Sequence, residues 1–486
     1  KRRERMRILF LAAEADPLIK VGGLGDVAGS LPRAIKALSN GSLFSTELDI
    51  RLVIPFHPAI DISSYPTMRV GKLSIPNIEG TSHAQVYLID VNDVPVYLIK
   101  SDLFPQGAPI YSINTQLDGK KYAFFSLAAL ELTRLLNWQP DILHANDWHT
   151  SPAVYSLAQK KSGDPFFSGT HSLLAVHNLP YMGRGSEQGL SFFGIPPSHD
   201  SQLPDWARYF PLPMGLSTAD RIVTVSPTYG QEILTPEFGC GLQDFLNERS
   251  GTISGILNGL DTELWDPNTD RWLTKQYSAH NLALRRENKK NLQNKFGLPE
   301  DPKIPLLAVV SRMDQQKGID LAIDGLRMAV DLPWQLVILG TGDPALEAAA
   351  RALEEDFANR VRAAIRFDTA LSHMFYGGAD MILMPSRYEP CGLAQMIAMR
   401  YGCVPIARAT GGLRDTVHEA SDEEGSTGFL FEGADAGQFN AALRRALSIY
   451  PQAAKWKRIQ LAGMSMNFSW QQSALTYANL YQTMME

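Results

Sequence analysis

Short runs rich in Val, Ile and Leu recur along the chain, and the stretches between them carry helical periodicity. In the first half the runs are Ile8–Ala13, Ile50–Ile54, Val86–Ile89, Val96–Ile99, Ile142–His144, Leu173–His177 and Ile222–Val225. In the second half they are Leu306–Ser311, Gln335–Leu339, Met381–Met384 and Cys403–Ala407. Continuous apolar strands alternating with helices predict parallel sheets covered on both faces, and the pattern occurs twice. It lapses at Asn268–Leu282 (NTDRWLTKQYSAHNL), which is polar and lacks an apolar period, before the charged helical stretch RRENKKNLQNKFGL. The chain therefore reads as α/β, with one domain over residues 1–265, a second over 266–466 and a closing segment over 467–486. In that segment Trp470, Tyr477 and Tyr481 recur at roughly helical spacing, which predicts a packing helix rather than a binding one.

A chain of 486 residues is too long for one ordinary core, which agrees with the doubled pattern. Its composition, 45% apolar and 20% charged, is that of a globular protein. The net charge of −6 argues against a nucleic-acid or anionic-membrane partner but leaves room for a local basic pocket. No apolar run approaches the roughly 18 residues of a spanning helix. The opening KRRERMRILF runs straight into a strand without the apolar core and cleavage site of a signal peptide. It reads as the stub of a longer chain, a tag remnant or a tail ahead of Met6. The three cysteines, Cys240, Cys391 and Cys403, are odd in number and scattered, which suggests a reducing compartment and neither a disulfide framework nor a zinc site.

Candidate chemistry gathers where apolar runs end. Gly23-x-Gly25-x-x-Ala28, inside LIKVGGLGDVAGSLPRAI, fits a dinucleotide fingerprint. A fingerprint places its first glycine at the strand end, whereas here Glu14–Val21 intervene and bring in Lys20. A lysine ahead of a glycine pair suits a loop closing on a phosphate and a sugar, and no Walker loop is present. After Ser311 come Arg312 and Lys317, two cations able to meet the charge developing on a diphosphate leaving group without a metal. A solvated, capped loop is the structural alternative. Glu389-Pro390 precedes Cys391-Gly392-Leu393 at a helix start, where a carboxylate can hold sugar hydroxyls while amides hold phosphate. Alternatively Glu389 caps the helix and Cys391 is merely buried. HANDWHT and LLAVHNLPYMG place Asp147 and His149, then His177 and Asn178, just past strand ends, where parallel sheets bind ligands. GGLGDV at 22–27 is echoed by GGLRDTV at 411–417, either as a second anion-binding helix start or by chance.

With these residues assembled, the chain resembles bacterial glycogen synthases and plant or algal starch synthases. The matching motifs run nearly end to end in family order: KVGGLGDVAGSLP, HANDWH, AVHNLPYMG, TVSPTY, GILNGLDTELWDP, SRMDQQKG, EPCGLAQMIAMRYG, TGGLRDTV and FSW. The resemblance implies the GT-B architecture, two Rossmann-like domains facing a central cleft, with the C-terminal helix returning to the first domain. It implies a retaining glucosyltransferase that moves glucose from a nucleotide-glucose, usually ADP-glucose, to the non-reducing 4-hydroxyl of an α-1,4-glucan such as glycogen, amylose or amylopectin. By the same resemblance Lys20 and Gly23 close on the donor and Arg312 and Lys317 meet its diphosphate. His177, Asn178, Asn258 and Glu389 face the glucose beside the Cys391, Gly392 and Leu393 amides. Asp147 and Asp26 are matched residues of the cleft and of the lysine loop, and Phe367 lies against the base.

Retention through a covalent sugar needs a carboxylate nucleophile, and none is evident. The implied route is front-side: the departing phosphate takes the acceptor's proton while Arg312 and Lys317 stabilise it and domain closure excludes water. No cofactor and no catalytic metal are expected. Tyr209–Gly215 (YFPLPMG) lacks the lysine often found before that glycine, and Ser186–Trp206 reads as a variable loop, both on the acceptor side. The location implied is cytoplasm for a bacterial chain and plastid stroma for a plant or algal one. Three alternatives stay open: a sugar-nucleotide transferase with another acceptor, a nicotinamide oxidoreductase, and a glucan-binding protein without activity.

Overall fold

The apolar runs become the strands of two sheets. The computed structural model describes residues 5–39, 44–421 and 425–486; the first four residues of the basic opening lie outside that range. The chain divides into two units, one of Lys1–Gly259 with Trp470–Glu486 and one of Leu260–Ser469.

In the first unit the strands are β1 (Arg5–Leu11), β2 (Glu47–Pro55), β3 (Met68–Asn77), β4 (Gly80–Val91), β5 (Val94–Lys100), β6 (Ile142–Asn146), β7 (His171–Val176), β8 (Arg221–Thr224) and β9 (Ile253–Gly255). They lie in the order β3-β4-β5-β2-β1-β6-β7-β8-β9. All but one edge is parallel: β4 pairs antiparallel with both β3 and β5. The run Val86–Ile89 therefore does not belong to a strand buried on both faces. It lies in an alternating strand of an antiparallel hairpin, whose other face meets solvent.

The chain leaves β1 toward β2 on one side and later returns to β6 on the other, so the carboxyl ends of β1 and β6 form a topological switch point, where open α/β sheets bind ligands. Helix α1 (Gly23–Leu38), helix α2 (Thr115–Leu135) and helix α3 (Asp147–Lys161) cover the sheet. The C-terminal helix Trp470–Met484 packs against α1. It is pinned by the Tyr481 hydroxyl, 2.6 Å from Nδ1 of the buried His144 on β6.

The second unit holds β10 (Leu306–Val310), β11 (Gln335–Gly340), β12 (Val361–Ile365), β13 (Met381–Met384), β14 (Val404–Arg408) and β15 (Phe429–Phe431), all parallel, in the order β12-β11-β10-β13-β14-β15. Its switch point is at the ends of β10 and β13. The polar stretch expected at the domain boundary is part of this unit's structure, and the division falls at 259/260 rather than 265/266. Asp270, buried despite its polar neighbours, accepts hydrogen bonds from His373 Nδ1 and the Tyr401 hydroxyl, both at 2.6 Å. Arg400 donates to the carbonyls of Trp265 and Thr262. The charged helix Arg285–Lys295 is likewise built in: Arg285 and Lys289 are buried, and Lys289 Nζ lies 2.8 Å from Asp380.

Candidate active site

In the second unit a cavity of about 110 Å³ opens at the ends of β10 and β13. Ser311, Lys317, Ser386, Glu389, Gly392 and Leu393 are among its lining residues. Two loops build it. After β10, Asp314 caps a turn by accepting from the Lys317 amide, and the turn ends at Gly318, whose φ is +65°. A Cβ there would lie 2.1 Å from the Pro385 carbonyl oxygen, so glycine alone lets the first loop touch the second. Arg387 then fastens the two loops with a bidentate pair to Asp320 at 2.9 and 2.7 Å. These contacts bring Lys317 Nζ to 2.9 and 2.7 Å from the two carboxylate oxygens of Glu389. The Ser386 hydroxyl adds a third bond to Glu389 at 3.0 Å.

Arg312 and Lys317, expected as a basic pair, are each matched with a carboxylate: Arg312 is largely exposed and lies 3.3 Å from Asp314. Gly392, with φ +73°, turns the chain into the helix Ala394–Arg400, and Gln395 fixes the turn by donating to the carbonyls of Cys391 and Gly392. Phe367, two residues past the end of β12, is 86% exposed. In the GGLRDTV echo the glycines serve close packing. The Gly412 amide donates to the Glu389 and Pro390 carbonyls, and a Cβ on Gly412 would fall 2.0 Å from the Cys391 carbonyl oxygen. These glycines let the loop carrying Glu389 lie against the helix Gly411–Thr416.

In the first unit the expected residues sit past the ends of β1, β6 and β7, with Asn258 after β9. Asp147 opens α3 in the left-handed region, with φ +56°. Its carboxylate, which burial pushes above the usual range, accepts from the amides of His177, at 2.8 Å, and Asn178. Asp147 thus fixes the backbone of its neighbours and positions them. His177 Nε2 lies 2.8 Å from Asn146 Oδ1, while Asn146 Nδ2 donates to the Leu11 carbonyl. That second bond orients the amide, so His177 carries its proton on Nε2 and leaves Nδ1 as an acceptor. Burial lowers the His177 pKa and keeps the ring neutral. Asn178 Oδ1 and Asn258 Oδ1 are buried with no hydrogen-bond partner, which marks them as atoms awaiting a donor. His149 instead packs among Tyr111, Tyr122 and Trp148.

The loop after β1 departs from the dinucleotide expectation. Lys20 Nζ pairs with Asp26 at 2.5 Å, in the first turn of α1. The amides of Val21 and Gly22, which in a fingerprint would face a pyrophosphate, donate to the buried carboxylate of Glu14. A Cβ on Gly25 would meet Lys20 Cγ at 2.9 Å, so this glycine serves close packing of the loop on the helix, whereas Gly23 meets nothing. Glu14, Asn146, Ser386 and Tyr111 escaped the sequence reading; an acid directly after the Ile8–Ala13 run was the one visible signal among them.

The two stretches expected on the acceptor side contain regular structure. Ser186–Trp206 contains the helix Glu187–Phe192 and the start of a 3₁₀ turn, Asp205–Tyr209. Met214, where the missing lysine would stand, is 1% exposed in the helix Pro211–Thr218. None of Cys240, Cys391 and Cys403 is joined in a disulfide. Among the described residues, no group of three or more His, Cys, Asp or Glu side chains is placed to hold a metal ion, and no helix is long and apolar enough to cross a membrane.

Comparison with known proteins extends the motif pattern to the whole chain. Residues 7–248 match the family described as starch synthase catalytic domain, and residues 288–460 match glycosyl transferases group 1. The glycogen synthase of Anaeromyxobacter sp. (strain Fw109-5) is 37% identical over 99% of this chain and 99% of its own length. That of Thermotoga petrophila is 38% identical over 98% of each. The catalytic domain of starch synthase IV from Arabidopsis thaliana, solved with ADP and acarbose, superposes with a TM-score of 0.87 at 32% identity, covering 99% of both chains. Sheets, motifs and full-length relatives agree: the chain belongs to the starch and glycogen synthase family of glycosyltransferases.

Proposed function

We propose that the protein elongates α-1,4-glucans by moving glucose from ADP-glucose to a non-reducing 4-hydroxyl with retention of configuration. The observation that carries this reading is the Lys317–Glu389 pair in the cavity at the ends of β10 and β13. A buried carboxylate held by an ammonium and a hydroxyl is suited to accept hydrogen bonds from sugar hydroxyls. The ammonium beside it, with Arg312 on the same loop, meets the charge that develops on a departing diphosphate. The Cys391, Gly392 and Leu393 amides add donors, and the exposed Phe367 ring offers a face to the base. In the first unit, His177 and the unpartnered oxygens of Asn178 and Asn258 suit glucose hydroxyls, with Asp147 positioning them. Lys20, Gly23 and Asp26 form the loop assigned to the donor. The ADP and acarbose of the starch synthase IV structure support both an adenine-nucleotide donor and an α-glucan acceptor.

Both oxygens of Glu389 are engaged by Lys317 and Ser386, and Asp147 is turned to the His177 amide, so neither is presented as a nucleophile. The departing phosphate then takes the acceptor proton on the face it leaves. Arg312 and Lys317 supply the positive charge, and the proposed route uses no metal or other cofactor. The bacterial relatives favour a cytoplasmic enzyme. The test is the initial rate with glycogen and either ADP-glucose or UDP-glucose, with and without EDTA. ADP-glucose is expected to be preferred and EDTA to have no effect. A preference for UDP-glucose, or loss of activity in EDTA, would overturn the donor or the metal-free route respectively.

A further inference from the structure

Glu14 carries a charge that the reaction described above does not use. It lies between β1 and α1 and is 1% exposed. One carboxylate oxygen accepts the amides of Val21 and Gly22, the latter at 3.1 Å; the other accepts the Tyr111 hydroxyl at 2.8 Å. A buried carboxylate is costly without compensating donors; two of these three bonds hold one short loop, and the third ties it to Tyr111. Within that loop the Val21 side chain is 62% exposed, and Lys20 is exposed beside it and pairs with Asp26 at 2.5 Å.

The far end of the connection is rigid. The chain at Tyr111 is fixed by Lys121 Nζ and the Tyr122 hydroxyl, each 2.6 Å from the Ile110 carbonyl, and by Asp118, which accepts from the Ser112 amide at 2.7 Å. The Tyr111 ring packs on His149 at 4.8 Å, in the helix that Asp147 opens. Gly25 completes the fit, since a Cβ there would come within 3.1 Å of Glu14.

We propose that Glu14 is a positioning residue, whose carboxylate latches the Lys20–Gly22 loop to Tyr111 and so sets where Lys20 is presented to the anionic donor. The inference rests on the proposed function for the identity of that donor. Burial raises the Glu14 pKa, and the hydrogen bonds from Val21, Tyr111 and Gly22 oppose that rise.

The experiment compares Glu14→Gln, Tyr111→Phe and Lys20→Ala, alone and combined, in steady-state kinetics with varied ADP-glucose. Glu14→Gln should raise KM for ADP-glucose about tenfold, with kcat changed by less than about threefold. In the Lys20→Ala background it should add almost nothing, because the latch acts through Lys20. Tyr111→Phe should shift KM in the same direction by a smaller factor, and carries the test if Glu14→Gln fails to fold. An unchanged KM, or additive effects of Glu14→Gln and Lys20→Ala, would overturn the proposal. Hydrogen exchange supplies a readout that needs no turnover. The Val21 and Gly22 amides should exchange faster in Glu14→Gln than in the parent protein, and equal rates would overturn the latch. A parent protein inactive with ADP-glucose would count against the proposed function, while the exchange result would still decide the latch.

Discussion

The ammonium of Lys317 sits 2.7 Å from one carboxylate oxygen of Glu389 and 2.9 Å from the other, although the two residues lie 72 positions apart. The carboxylate side chain is 6% exposed and the lysine side chain 20%. A cation assigned to the leaving group and a carboxylate assigned to the sugar thus form one electrostatic unit before any substrate arrives. Each holds the other where its own contact is needed, and removing either leaves a buried group without its partner.

Lys317→Ala is accordingly expected to lose about 2.7–4 kcal/mol of transition-state stabilisation, by analogy with removal of one charge-stabilising donor. Comparison of kcat/KM for ADP-glucose between parent and variant measures it directly. Near-normal turnover would remove Lys317 from the diphosphate.

Glu389→Gln keeps an acceptor for Lys317 and removes the charge. Transfer should fall steeply while ADP affinity, read by calorimetry, stays nearly unchanged. Equal losses in both would make Glu389 a structural partner of Lys317 and nothing more.

Gly412→Ala probes the support behind Glu389. Its Cβ would need room 2.0 Å from the Cys391 carbonyl oxygen, so the Glu389–Leu393 loop must shift. Activity should drop by about tenfold or more even where the variant folds. A soluble variant with parental kcat would show that the loop tolerates displacement.

His57 should make the fold acid-sensitive. Burial, helped by the nearby Lys121 ammonium, pushes its imidazole down from 6.5 to about 4. The folded state keeps the ring neutral while the unfolded chain protonates it. The stabilisation is therefore present above pH 6.5 and is lost as the pH falls from there toward 4. Between about pH 7 and pH 5, urea unfolding of His57→Gln should lose about 2 kcal/mol less stability than the parent. Equal losses would mean that His57 does not couple to folding.

Much of the architecture was legible because continuous apolar runs report burial on both faces of a sheet, and each apolar run of the second unit is a parallel strand. The strands that were missed lack that signal. β3 is an antiparallel edge strand with one wet face, β9 is a three-residue strand at the opposite edge, and β12 and β15 are short strands at the two ends of their sheet. The site was legible as residues at strand ends but not as contacts. Nothing local in the sequence pairs Lys317 with Glu389, or Glu14 with Tyr111 across 97 positions. The echo at Gly411–Gly412 left two readings open for a related reason: the same dipeptide can offer amides to an anion or make room for a neighbouring carbonyl, as it does here.

The central claim is tested most directly by transfer of labelled glucose from ADP-glucose to glycogen, followed by digestion of the product with β-amylase. The account predicts label in the polymer and its release as maltose, since new residues are joined α-1,4 at non-reducing ends. Label that enters the polymer but resists β-amylase, or folded, ADP-binding protein that transfers no glucose at all, would contradict it.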